Sequence, residues 1–103
     1  MIFTWDDGKD RKNYEDHAIH LGTAAYVFND PHRLERPDVS ANNNTLEERW
    51  QTLGKVKNVI FVVYEERDGD EKRLISARIA SPKERRIYNG YGNDGINPWS
   101  PAD

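Results

Sequence analysis

The sequence predicts an α+β domain: a small, mainly antiparallel sheet with two N-terminal helices packed on it and a further helix near the C-terminus. Three observations carry this. Between Glu47 and Tyr91 three short segments rich in β-branched and aromatic residues follow one another, each bounded by turn residues. Ahead of them lie two stretches whose side chains recur at helical spacing. Behind them, Ser81-Pro82-Lys83-Glu84 places a capping serine, a proline at the first helical position and a glutamate at the third, the pattern of a capping box.

The strand segments are Glu47 to Leu53, Asn58 to Tyr64 and Lys72 to Ala80. The second is apolar at every position from Val59 to Val63, which suits a central strand covered on both faces. Between it and the third, Glu65 to Glu71 contains Asp68-Gly69, a dipeptide suited to the positive φ angles of a tight hairpin turn. Alternation in the third segment sets Ile75, Ala77 and Ile79 on one face, read as core, and Leu74, Ser76 and Arg78 on the other. Arg78 in mid-strand therefore needs water, an acid or a ligand.

Earlier in the chain, Ile2, Phe3 and Trp5 form a short terminal strand, and Asp6 or Asp7 caps a helix running to about Ala18. Along it Lys9, Asn13 and His17 recur every four residues and share one stripe. Leu21, Ala24, Ala25 and Phe28 mark a second, amphipathic helix closed by Asn29-Asp30-Pro31. Arg33 to Arg36 is a brief edge strand before Pro37, and Asp38 to Thr45 a polar loop, the most mobile part of the body. The helix from Ser81 ends near Asn89. Residues 1–91 thus read as one domain and residues 92–103, rich in glycine and proline, as an irregular tail, disordered unless Tyr91, Ile96 or Trp99 pins it.

The chain has 103 residues, enough for one unstapled core, and no cysteine, which removes disulfides, thiolate metal sites and thiol catalysis. With no apolar run near membrane-span length and no basic leader, a soluble, cytoplasmic protein without membrane contact is expected. The net charge of −3 is unevenly spread. Residues 1–48 carry five Lys or Arg against ten Asp or Glu, whereas residues 49–91 carry ten against six. The C-terminal block is therefore locally basic, and any phosphate binding rests on a local patch.

A terminal F-x-W-D at Phe3, Trp5 and Asp6, the stripe Lys9, Asn13 and His17, and a second helix ending through Ala24, Val27, Phe28, Asp30 and Pro31 are followed by Glu47, Arg49, Trp50 and Gly54. Arg73 to Ala80, with Glu84 and Arg85, completes the series. This pattern, in order over about residues 2 to 91, resembles the BrnT family of type II toxin–antitoxin toxins. The resemblance implies a RelE-like fold, metal-independent RNA cleavage that halts translation, no cofactor, and a small DNA-binding antitoxin of the BrnA type as partner. DNA would be reached only through that antitoxin. Asp16 stands where members often carry Lys, and the tail beyond Tyr91 is longer than usual.

Metal-free cleavage by the substrate's own 2′-OH needs a base, an acid for the leaving 5′-oxygen, and cations for the charge on phosphorus. Arg49 and Arg78 are the candidate cations, because a guanidinium engages two phosphate oxygens at once and stays charged. His17 is the candidate acid or base, with Glu48, Glu47 and Tyr64 as alternatives. Lys9, Lys12, Arg73 and Arg85 are candidates for gripping flanking phosphates or, for the arginines, the antitoxin. A second reading stays open: a catalytically degenerate binding module that acts with its antitoxin as a co-repressor, suggested by Asp16 and a pI near 5.6.

Overall fold

The computed structural model of the chain describes residues 1–39 and 48–102. Among these residues six strands form one sheet, β1 (Ile2–Thr4), β2 (Leu34–Pro37), β3 (Arg49–Val56), β4 (Asn58–Arg67), β5 (Glu71–Ile79) and β6 (Ser100–Pro101), in the spatial order β1-β5-β4-β3-β2-β6. All neighbours are antiparallel except β1 and β5. Helix α1 covers Asp7–His17 and helix α3 covers Pro82–Tyr88. Helix α2 spans only Leu21–Ala24 and tightens into a 3-10 helix, Ala25–Asn29, so the expected second helix is split. None of the described helices is long and apolar enough to cross a membrane.

Strand β4 lies between β5 and β3, and its alternate residues serve two cores. Ile60, Val62 and Tyr64 point to a back face packed by Leu21, Ala24 and Val27 of α2 and the 3-10 helix. On the front face Val59 and Leu53 pack with Ile87 of α3 and with Trp99, while Phe61 borders the cluster. The apolar run Val59 to Val63 is thus a consequence of cover on both sides. Gly69 at φ 76° and Asp70 at φ 63° turn the β4–β5 hairpin where Asp68-Gly69 predicts it.

Strand β5 departs from simple alternation. Val63 pairs with Ser76 but Tyr64 pairs with Leu74, so Ile75 is an extra residue, a β-bulge. The bulge reverses the facing of everything before it. Leu74, expected on the outer face, is fully buried beside Ala77 in the back core, while Ile75 is only half-buried and Ile79 is exposed. Arg78 does lie opposite the Ala77 face, as expected.

Helix α1 has little apolar surface and is anchored by a polar contact instead. Asn13 accepts from the Ala77 N–H at 3.0 Å and donates to the Ile19 carbonyl at 2.8 Å. It thereby satisfies the edge of β5 beyond the point where β1 pairing ends at Arg73. Asp6 caps the helix by accepting from the Lys9 N–H, and the Ser81–Glu84 capping box of α3 is present in both directions.

The stretch after Tyr91, expected as an irregular tail, returns to the sheet. Ser100 and Pro101 pair with Glu35 and Leu34, and Trp99 is 4% exposed. Of the three residues considered as pins, Trp99 serves; Tyr91 and Ile96 remain exposed. The polar loop at 40–45, together with Glu47, lies outside the described residues, and β3 begins at Arg49 instead of Glu47.

Candidate functional site

Cross-strand register organises the front face into rows, because directly opposed residues share a face. Leu53, Phe61 and Arg78 form one row across β3, β4 and β5. Gln51, Val63 and Ser76 form the next, and Arg49, Glu65 and Arg73 the third. Arg49 and Arg78 thus flank the neutral middle row, offset by four residues, roughly 13 Å, along the strand direction and by two strands, roughly 10 Å, across the sheet.

A cleft of about 360 Å³ opens over that row, lined by Asp38, Arg49, Gln51, Phe61, Val63 and Ser76 together with the bulged Ile75. A second groove, of about 450 Å³, lies between α1 and β5 and holds Lys9, Lys12, Asp16 and His17. Ile75 and Ser76 line both, so cleft and groove adjoin at β5.

The cations around the cleft are individually braced. Arg78 is bound through both guanidinium ends by the Glu84 carboxylate, at 2.8 and 3.0 Å, and sits over the Phe61 ring with 4.1 Å from its guanidinium carbon to the centroid. Burial would raise the Glu84 carboxyl, but hydrogen bonds from Arg78 and the Ser81 N–H hold it below its ordinary value. Arg49 donates to Glu65 at 3.3 Å, and Glu65, buried, also accepts from Arg67 at 3.0 Å. Arg36 from β2 donates to Gln51 at 2.8 Å, whose amide in turn donates to Asp38 at 2.9 Å. Burial pulls the Arg36 guanidinium below its usual value, opposed by the charges of Glu84 and Asp38.

Of the residues nominated from sequence, Arg49 lines the cleft, Arg78 borders it through Phe61, and His17, Lys9 and Lys12 line the adjoining groove. Lys12 is paired with Asp16 at 3.1 Å. Arg73 stands opposite Glu65 in the third row. Arg85 lines neither depression and donates to the Ala80 carbonyl at 3.0 Å. Glu48 is exposed just before β3, with its carbonyl accepting from the Glu66 N–H.

Tyr64 belongs elsewhere. It is 1% exposed in the back core, its hydroxyl donates to Glu35 at 3.1 Å, and burial together with the Glu35 charge holds the phenol far above the ordinary tyrosine range. A phenol buried on the back face and so reluctant to give up its proton is a core group, not the acid or base that the sequence suggested. Its parity with the core residue Val62 was the signal against it.

Arg36, Gln51, Asp38 and Ser76 were not nominated. For Arg36 and Gln51 the signal is alternation: each stands two residues from a front-core leucine, Leu34 and Leu53. Asp38 joins the cleft from just past the end of β2, which no local pattern announces, whereas Ser76 shares the Arg78 face through the plain alternation of β5. Among the described residues no three His, Asp or Glu side chains are grouped so as to hold a metal ion.

The crystal structure of the Brucella abortus ribonuclease toxin BrnT superposes with a TM-score of 0.57 at 17% sequence identity, over 79% of this chain and 99% of that one. At that identity the likeness establishes the fold. A search of curated proteins gives no match. The family model described as the ribonuclease toxin BrnT of type II toxin–antitoxin systems matches residues 5–84. The chain belongs to the BrnT family of ribonuclease toxins of type II toxin–antitoxin systems, and membership brings with it an antitoxin partner.

Proposed function

We propose that this chain is a metal-independent endoribonuclease of the cytoplasm that cleaves RNA within the front-face cleft, arrests translation, and is silenced by a BrnA-type antitoxin laid over the same face. The observation that carries the reading is the cleft itself: two guanidinium groups, Arg49 and Arg78, flank the uncharged row of Gln51, Val63 and Ser76, and Ser76 also lines the adjoining groove of His17, Lys9 and Lys12. Arginines held by carboxylates and an aromatic ring are pre-aimed, so little reorganisation is needed when charge develops on phosphorus.

In the reaction a base removes the 2′-hydroxyl proton and the 2′-oxygen attacks the adjacent phosphorus. The bond to the 5′-oxygen then breaks and that oxygen takes up a proton. The products carry a 2′,3′-cyclic phosphate and a 5′-hydroxyl. Arg78 and Arg49 take the charge on the non-bridging oxygens, and His17 is the leading acid or base, with Glu48 as the alternative. Lys9 and Lys12, with Arg73 at the other end, hold flanking phosphates.

A second reading has one observation in its favour. Arg49, Arg78 and Lys12 each already carry a carboxylate partner, which lowers the positive potential available to RNA. A chain so neutralised would serve as an antitoxin-bound co-repressor without catalysis. Overproduction in cells lacking the antitoxin decides between them. Prompt growth arrest, relieved by co-expressed antitoxin, supports the nuclease; unimpeded growth with abundant folded protein supports the co-repressor.

A further inference from the structure

The residues after Asn89 lie beyond the family model, yet they return to the edge of the front-face cleft. Asn93 grips the Trp99 backbone twice, donating to its carbonyl at 2.7 Å and accepting from its N–H at 2.8 Å. Asn97 donates to the Pro37 carbonyl at 3.1 Å, and the Ala102 N–H donates to the Arg33 carbonyl at 3.0 Å. With the Ser100–Pro101 pairing, these bonds fix the segment at both ends of Trp99. The indole is thus placed by a dedicated scaffold.

What the indole touches is informative. Arg36 lies over its ring at 4.2 Å, and the same guanidinium donates to the Asn97 carbonyl at 3.0 Å. On the other side Trp99 meets Phe61 edge to face, with centroids 6.2 Å apart and planes at 83°. Phe61 in turn carries Arg78 at 4.1 Å. Four side chains therefore form a relay, Arg36 to Trp99 to Phe61 to Arg78, in which each cation rests on an aromatic face.

We propose that Trp99 is a positioning residue for the cleft: the C-terminal return segment sets Arg36 directly, and Arg78 through Phe61, in the orientation that receives phosphate. This rests on the ribonuclease reading only for its kinetic consequence; the orientation of the two guanidinium groups is testable without any substrate. Arg49, braced by Glu65 outside the relay, is the internal control.

The test compares full-length wild-type chain with Trp99→Ala and the milder Trp99→Phe, all checked for folding by circular dichroism. Side-chain motion is read from the {¹H}–¹⁵N heteronuclear NOE of the arginine Nε–H groups. The variants should lower the values for Arg36 and Arg78, more in Trp99→Ala than in Trp99→Phe, and leave Arg49 unchanged. In RNA cleavage kcat should fall at least about tenfold in Trp99→Ala with KM altered less than about threefold, and Trp99→Phe should recover much of the loss. Unchanged Nε–H values for Arg36 and Arg78 in a folded variant overturn the proposal. So does equal loosening of all three arginines, which marks a general loss of packing. Should Trp99→Ala not fold, Trp99→Phe alone decides by the same Nε–H comparison. An inactive wild type whose Nε–H values respond as expected overturns the nuclease reading and leaves the positioning role standing.

Discussion

Both oxygens of the Glu84 carboxylate engage the Arg78 guanidinium, at 2.8 and 3.0 Å, and the same carboxylate accepts the Ser81 N–H that opens α3. One acid thus caps a helix and aims a cation from the neighbouring strand. A lysine carries the charge but not the planar fork. Arg78→Lys should therefore retain stability within about 1 kcal/mol while initial rates of RNA cleavage fall about tenfold or more. Wild-type rates in a folded Arg78→Lys protein would show that charge alone suffices.

Acid should unfold this protein by a defined route. Asp30 is held below its ordinary value against the opposing effect of burial, by hydrogen bonds from Tyr88 and from the His32 and Lys55 N–H groups. Glu84 is depressed as described, and Asp10 chiefly by the Leu21 N–H. For depressed carboxyls the unfolded chain binds more protons, so the stability they add is complete above the unfolded values of 3.8 and 4.5. It is lost as pH falls through the lower native values. Urea midpoints measured from pH 7 to pH 2.5 should drop mainly below pH 4.5, and Glu84→Gln should flatten part of that fall. A pH-independent midpoint over this range contradicts the assignment.

Tyr88 reports the same contact from the other side. Burial and the Asp30 carboxylate push its phenol up to about 12, so its contribution persists below the ordinary value of 10.0 and fades as pH rises toward 12. Tyr88→Phe removes the 2.5 Å bond to Asp30 but leaves two backbone donors there. A loss of about 1 kcal/mol at pH 7 is expected from urea unfolding, with no measurable loss counting against the bond.

Much of the architecture can be read from the chain because its signals are local. The capping box at Ser81, the Asp68-Gly69 turn and the unbroken apolar run of β4 each follow from a few neighbouring residues. The bulge at Ile75 does not, because only the β4 partner reveals that one residue of β5 is supernumerary; hence Leu74 and Ile75 were assigned to the wrong faces. Trp99 was legible only as one of three possible pins, since its docking depends on Phe61 and Arg36, far away in sequence. The cleft was half legible. Arg49 and Arg78 stand out as arginines within strands, whereas Tyr64 stood out equally and proved to be core, and the bracing acids Glu65 and Glu84 required the fold to find.

Gly54 shows why a motif residue need not be catalytic. A Cβ at this position would lie 2.7 Å from the Val27 Cβ and 3.1 Å from the Val27 carbonyl oxygen, where the 3-10 helix packs on β3. Because backbone is among the atoms met, the helix itself must shift. Gly54→Ala should cost about 1 to 3 kcal/mol in urea unfolding, and a stability equal to wild type would mean the helix moves away freely.

The antitoxin should recognise the same cations as RNA. Arg85 is exposed and Arg49 lines the cleft, so acidic residues of the partner can reach both. Arg49→Glu and Arg85→Glu should each weaken the toxin–antitoxin complex at least about tenfold by titration calorimetry, provided circular dichroism shows an intact fold. Affinity equal to wild type in both would place the antitoxin on another face.

The most direct test of the central claim is incubation of the purified, antitoxin-free chain with a defined RNA in excess chelator, with Arg78→Ala in parallel and the fragment ends identified. A metal-independent nuclease built on this cleft yields 2′,3′-cyclic phosphate and 5′-hydroxyl ends, at a rate that falls about 10² to 10³-fold in Arg78→Ala. Intact RNA after incubation with the wild-type chain, with or without translating ribosomes, would contradict it.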